Sequence, residues 1–183
     1  VPFLQDQLGT FNLTTTSSGA SNGITTTSVD GNVTATNSGI NADMLGTSAS
    51  GLGNATSVNS GTIGSFISTL TGAGNATSIN SGTVVQDITT IAQDGGNALT
   101  NNSGQVTSIT TYAVVSSPVP GGSATTINSG RVNDAILTST DGGGNATTLN
   151  FGTVIGGIGT FTSNGGSGSG GGNATSINFG TVD

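Results

Sequence analysis

One phrase, Gly-Asn-Ala-Thr-Ser-Ile-Asn-Ser-Gly-Thr-Val with variants, is written again and again along this chain. Clear copies begin at Gly31, Gly53, Gly74, Gly96, Gly122, Gly144 and Gly172, and a worn one begins near Phe11; the clear starts lie 22, 21, 22, 26, 22 and 28 residues apart. A fixed period of this size belongs to stacked-repeat architectures, in which each unit buries its apolar face only against its neighbours.

Aligned copies keep particular slots. The third holds Val33, Ala55, Ala76, Ala98, Ala124, Ala146 and Ala174, and the sixth holds Thr36, Val58, Ile79, Asn101, Ile127, Leu149 and Ile177. The eleventh holds Asn41, Ile63, Val84, Val106, Val132, Val154 and Val182, and a second apolar cluster follows, as in Val85, Ile88 and Ile91. Glycine every six to ten residues costs a helix about 1 kcal/mol each time, whereas short Val/Ile/Thr runs bounded by Gly and Asn read as strands. The expectation is an all-β single domain over 1–183: a β-solenoid (β-helix) of about eight coils with a period near 22 residues. At roughly 4.8 Å per layer the rod would be about 38 Å long. Its interior would hold an Ala row, an Ile/Val row from the sixth slot and a Val row from the eleventh.

Two polar rows are as regular as the apolar ones. The first is Asn37, Asn59, Asn80, Asn102, Asn128, Asn150 and Asn178, each followed two residues later by glycine, a pattern suited to a corner with positive φ. The second is Asn32, Asn54, Asn75, Asn97, Asn145 and Asn173, with Ser123 once in its place. Amides repeated at layer spacing can hydrogen-bond along the stack as ladders. The period stretches at 116–122 and 164–172, which reads as loops leaving one face of the solenoid.

Composition removes whole classes of function. The chain has one basic residue, Arg131, eight acidic residues, all Asp, no His and no Cys. Zinc sites and Cys–His nucleophiles cannot be built, and a single cation cannot neutralise a row of phosphates, so nucleic acid is not a partner. No apolar run is long enough to insert in a bilayer. The Asp residues are dispersed, so neither a carboxylate pair for glycoside cleavage nor a calcium cage is legible; no enzyme activity, cofactor or metal is expected. Asn12, Asn32, Asn54, Asn75, Asn101, Asn145 and Asn173 each begin an Asn-x-Ser/Thr tripeptide, the acceptor pattern for N-glycans in a secreted protein. A Thr row (Thr34, Thr56, Thr77, Thr125, Thr147 and Thr175) invites comparison with flat ice-binding faces, but the Thr-x-Thr pairing of Thr34 and Thr36 is lost in later copies.

The wording Ala124-Thr-Thr-Ile-Asn-Ser-Gly130 resembles the β-helical repeats of bacterial autotransporter-adhesin passenger domains. The period and its Gly/Asn/Ala flavour are similar to curli-type functional amyloid subunits, which carry Gln ladders where this chain has Asn80 or Asn128. The resemblance implies an extracellular, secreted or cell-surface β-solenoid.

The last copy stops at Gly180-Thr-Val-Asp183, and Val1-Pro-Phe-Leu-Gln-Asp-Gln-Leu-Gly9 reads like the half-coil that would follow it. Residues 1–10 are therefore expected to complete a neighbouring subunit's coil, with Val1, Phe3, Leu4, Leu8, Ile177 and Val182 in the contact. Solenoids that stay single cap their terminal coils, and a head-to-tail contact that does not close builds a filament. The sequence thus points to a self-polymerising structural subunit. The alternative is a monomeric adhesin or glycan-binding rod, with surface glycans or other matrix components as its partners.

Overall fold

The computed structural model describes residues 3–6, 11–115, 121–163 and 171–183, with backbone only at 3–6. Expectations for Val1, Leu8, 116–120 and 164–170, and for the side chains of Phe3 and Leu4, lie outside the described residues.

All described strands pair in parallel with the strand one coil away, forming three eight-stranded sheets along the three faces of a β-solenoid. Face 1 is built from five-residue strands: Leu13–Ser17, Val33–Asn37, Ala55–Asn59, Ala76–Asn80, Ala98–Asn102, Ala124–Asn128, Ala146–Asn150 and Ala174–Asn178. Face 2 is narrow, with two-residue strands running from Ala20–Ser21 to Thr181–Val182. Face 3 begins with Phe3–Asp6, continues through Ile24–Ser28, Leu45–Ala49, Ile67–Thr71, Asp87–Ala92, Ser108–Ala113 and Ala135–Asp141, and ends with Gly157–Ser163. The chain visits faces 3, 1 and 2 in turn, so seven full coils stand between a lone face 3 strand at one end and a two-strand half-coil at the other.

Three apolar columns fill the interior. Face 3 supplies Ile24, Leu45, Ile67, Ile88, Ile109 and Ile136; face 2 supplies Ile63, Val84, Val106, Val132 and Val154; face 1 supplies an Ala column from Ala55 to Ala146. The Ile/Val row expected inside from the sixth slot is not there. Thr36, Val58, Ile79, Asn101, Ile127, Leu149 and Ile177 point outward from face 1, with Ile79 38% and Ile177 39% exposed. The reason is strand parity: successive side chains alternate faces. The Ala slot and the sixth slot are three apart, so they cannot share a side. The inward set is Ala, the Ser/Thr two residues on, and the Asn two beyond that.

The corners need glycine for a reason other than the one expected. None of the Asn-x-Gly glycines has positive φ; that region is occupied only by Asp94, Gly95, Gly142 and Gly143 among the described residues. Instead, a Cβ on Gly39, Gly61, Gly82, Gly104, Gly130, Gly152 or Gly180 would overlap the carbonyl oxygen of the glycine one coil below. Glycine is required by close stacking of backbone on backbone. Gly19, in the first described layer of this corner, would meet nothing within 4 Å.

Candidate functional site

Strand parity places one amide per coil in the interior, at the end of each face 1 strand. From Asn37 to Asn150 these side chains are fully buried, where an unbonded amide would cost about 1–3 kcal/mol. Each Nδ2 donates to the Oδ1 of the next coil: Asn37 to Asn59 at 2.9 Å, then Asn59 to Asn80, Asn80 to Asn102, Asn102 to Asn128 and Asn128 to Asn150 at 2.8 Å, and Asn150 to Asn178 at 2.7 Å. The second donor proton goes to the carbonyl of the corner glycine two residues on, as from Asn80 to Gly82 at 3.2 Å. The first Asn row is thus a ladder along the stack, and it also ties each corner.

The second row, Asn32, Asn54, Asn75, Asn97, Asn145 and Asn173, runs along the outside and donates in the opposite direction. Here an Asn Oδ1 accepts from the next coil: Asn54 donates both N–H at 2.9 Å and Nδ2 at 2.9 Å to Asn32, and Asn75 and Asn97 repeat the pattern. Ser123 donates its N–H to Asn97 but has no amide oxygen to offer Asn145, and Asn173 N–H donates to Asn145. Asn12 is the row's first member, accepting from Asn32 N–H at 3.0 Å. Of the N-glycan acceptor tripeptides, six therefore begin on this exposed row, and Asn101 stands apart on the outer surface of face 1.

A third ladder was not anticipated. Between the apolar columns, hydroxyls from faces 1 and 3 alternate in one unbroken chain: Thr47, Ser57, Thr69, Ser78, Thr90, Thr100, Thr111, Thr126, Thr138, Thr148 and Thr160. Oxygens from Ser57 onward stand 2.7–2.8 Å apart, and each hydroxyl can donate one bond and accept one. Such chains polarise along their length and gain from cooperativity. The signal was present in the sequence, since the Ser/Thr slot has the same parity as the Ala and Asn slots.

Among the described residues, Ala174–Asn178 and Thr181–Val182 are the last strands of their sheets and pair on one side only. Ala174, Ser176, Asn178 and Val182 are all exposed, although their counterparts Ala146, Thr148, Asn150 and Val154 are buried one coil earlier. Ala146 N–H donates to the Asn173 carbonyl and Phe179 N–H to the Asn150 carbonyl, so Ala146, Thr148 and Asn150 direct their backbone groups toward the following coil. By the same alternation, Ala174, Ser176 and Asn178 present theirs at the edge. Ile177 projects sideways from face 1, not along the stack. Beside this edge, Phe179 lies on Phe151 with ring centroids 5.3 Å apart and planes 12° from parallel, in a corner column otherwise filled by Ser38, Ser60, Ser81, Ser103 and Ser129.

Among the described residues no group of three acidic, His or Cys side chains is placed to hold a metal, and no helix is long and apolar enough to cross a membrane. The fold and its ladders define the chain as a β-solenoid repeat protein. No protein-family model, curated protein or solved structure matches it.

Proposed function

We propose that this chain is a non-enzymatic structural subunit of an extracellular filament or matrix fibre that grows head to tail by β-strand stacking. One observation carries the reading: the open edge at Ala174–Asn178 and Thr181–Val182 has the same register, polarity and residue types as the layers that pair inside the molecule. Unpaired edges of this kind template the addition of another strand.

All three sheets hold eight strands, so a second copy displaced by eight layers, about 38 Å, would meet every edge with a strand of the same kind. Phe3–Asp6 would lie on Gly157–Ser163, Leu13–Ser17 on Ala174–Asn178, and Ala20–Ser21 on Thr181–Val182. Within the chain Phe3 is already in register with Ile24, whose column is apolar throughout. The ladders match in direction as well: Asn178 would offer Nδ2 to the Ser17 position, and Asn173 would offer Oδ1 to Asn12. Gly19 becomes intelligible as the glycine that the corner column would need above a neighbour's Gly180, whose carbonyl a Cβ there would meet. One corner departs from the pattern, since Phe11 occupies a place that is glycine in later coils; there the two copies would stand further apart than regular layers.

Secretion or display at the cell surface is supported by the Ser/Thr/Asn-rich, lysine-free composition and by the likeness in wording to autotransporter-adhesin passenger repeats and curli-type subunits. Surface glycans or other matrix components are the further partners such a fibre would meet. Electron microscopy of the 1–183 polypeptide tests the reading. Filaments with an axial repeat of about 38 Å are expected, and they should vanish in Ser176→Pro, which removes an edge N–H and leaves the internal pairing intact. Monodisperse short rods at every concentration would overturn it.

A further inference from the structure

Faces 1 and 3 both carry apolar side chains on their outward surfaces, such as Ile79 on face 1 and Leu70, Leu137 and Phe161 on face 3, but Asp87 and Asp141 lie on face 3 strands. From the third face 1 strand onward, each coil presents one polar and one aliphatic side chain: Thr56 and Val58, Thr77 and Ile79, Asn101 and Leu99, Thr125 and Ile127, Thr147 and Leu149, Thr175 and Ile177. Parallel in-register pairing stacks them into two straight columns. The chain carries a net charge of -7, yet no Asp and no Arg lies on any face 1 strand. Proteins ordinarily guard a solvated sheet face with charges, and a contiguous apolar strip rimmed by polar groups marks a contact surface.

We infer that face 1 is a lateral contact through which two copies of this solenoid pair face to face. A second copy fits because each copy brings the same neutral ranks of Thr and aliphatic side chains. The shared net negative charge, carried at the corners and on the other strands, stays outside the contact. Two such surfaces interdigitate as stacked sheets do, about 10 Å apart, and the self-complementary patch gives a closed two-fold pair. Eight layers of five-residue strands span roughly 600 Å² on each partner, which reaches the lower range of stable interfaces, about 1,200 Å² in total. In a filament the strip would recur in every subunit, separated by the two layers whose outward residues are Thr14, Thr16, Thr34 and Thr36, so weak pairing per copy would multiply into bundling. The inference does not depend on end-to-end growth.

Sedimentation of Ser176→Pro, whose stacking edge is blocked, separates the two contacts. This protein is expected to be a dimer at tens of micromolar, and Ile79→Lys with Ile127→Lys in the same background is expected to be monomeric with unchanged circular dichroism. Leu70→Lys with Ile91→Lys, on the outer surface of face 3, should leave the dimer intact. With the edge unblocked, the face 1 lysines should give single filaments in place of bundles. A monomeric Ser176→Pro protein, or a dimer that survives the face 1 lysines, would overturn the inference. A monomer that retards ice growth would instead assign these columns to an ice surface.

Discussion

The first two full coils and those that follow them have the same backbone but differ in how completely their interiors are bonded. From Ser57 onward every inward hydroxyl of the central chain and every inward amide up to Asn150 has a partner in the adjacent coil. In the first two coils Thr26 Oγ1 and Asn37 Oδ1 are buried without one. Each orphan follows from a single departure in the repeat. Ala35 stands where later coils have Ser or Thr, so the hydroxyl chain stops at Thr47. Ser17 stands in register with Asn37 where an amide would donate. Not every departure leaves a debt: Asn41 replaces the face 2 Val, but its Nδ2 donates to the Met44 carbonyl at 2.8 Å and its Oδ1 accepts from Asp43 N–H at 3.2 Å. The difference between the regions is therefore one of continuity, because a polar column inside a solenoid is satisfied only if the neighbouring coil supplies the matching group.

The largest effect is expected from breaking the amide ladder where it is complete. Asn102→Leu removes a donor to Asn128 and Gly104 and the acceptor of Asn80, orphaning buried groups on both sides at a cost of about 3 kcal/mol. The same change at Asn37 also deletes an oxygen that has no partner, and Asn59 Oδ1 keeps its bond from Gly61 N–H; about half the loss is expected there. Urea midpoints of the two variants measure the contrast, and equal shifts would mean that ladder continuity contributes nothing.

Valine substitutions sharpen the comparison in the hydroxyl chain, since Val matches Thr in shape and suits a strand. Thr100→Val leaves Thr111 without its acceptor and Thr90 without a neighbour, and should cost about 2 kcal/mol. Thr26→Val removes a buried hydroxyl that bonds to nothing, and should be neutral or stabilising by up to about 1 kcal/mol. Opposite signs from one chemical change, read in the same denaturation experiment, would locate the energy in the network and not in threonine itself. Matching signs would refute that placement.

Much of this architecture was legible because repetition makes a slot visible eight times over. The parallel solenoid, the period, the Ala and Val columns and both amide rows follow from which residues recur. The inside-outside assignment of the sixth slot failed because hydrophobicity was weighed ahead of parity: Ile79 and Ile127 are apolar, but they stand an odd number of residues from Ala76 and Ala124. The same oversight hid the hydroxyl chain, whose Ser78 and Thr126 look like surface residues until the alternation is counted. The role of the corner glycines could not be read from φ preferences, because it arises from contact between coils more than twenty residues apart in sequence.

The smallest effect tests whether the worn region can be repaired. Ala35 is buried, in register with Ser57 above and Thr15 below, and Ser57 shows that the next coil up accepts an inward hydroxyl between two face 3 threonines. Ala35→Ser should place an Oγ between Thr26 and Thr47, giving the orphan a partner and carrying the hydroxyl chain two members further toward the first strand. The gain is expected to be about 1 kcal/mol, seen as a higher urea midpoint and slower amide exchange over residues 24–49. Serine adds one oxygen to an interior already close-packed at Ile24 and Leu45, so the opposing effect is overpacking. The two outcomes separate cleanly: a lower midpoint would mean that Ala35 is kept for space and that Thr26 is tolerated unbonded. A higher one would mean that the ladder accepts an additional hydroxyl wherever parity offers it a place.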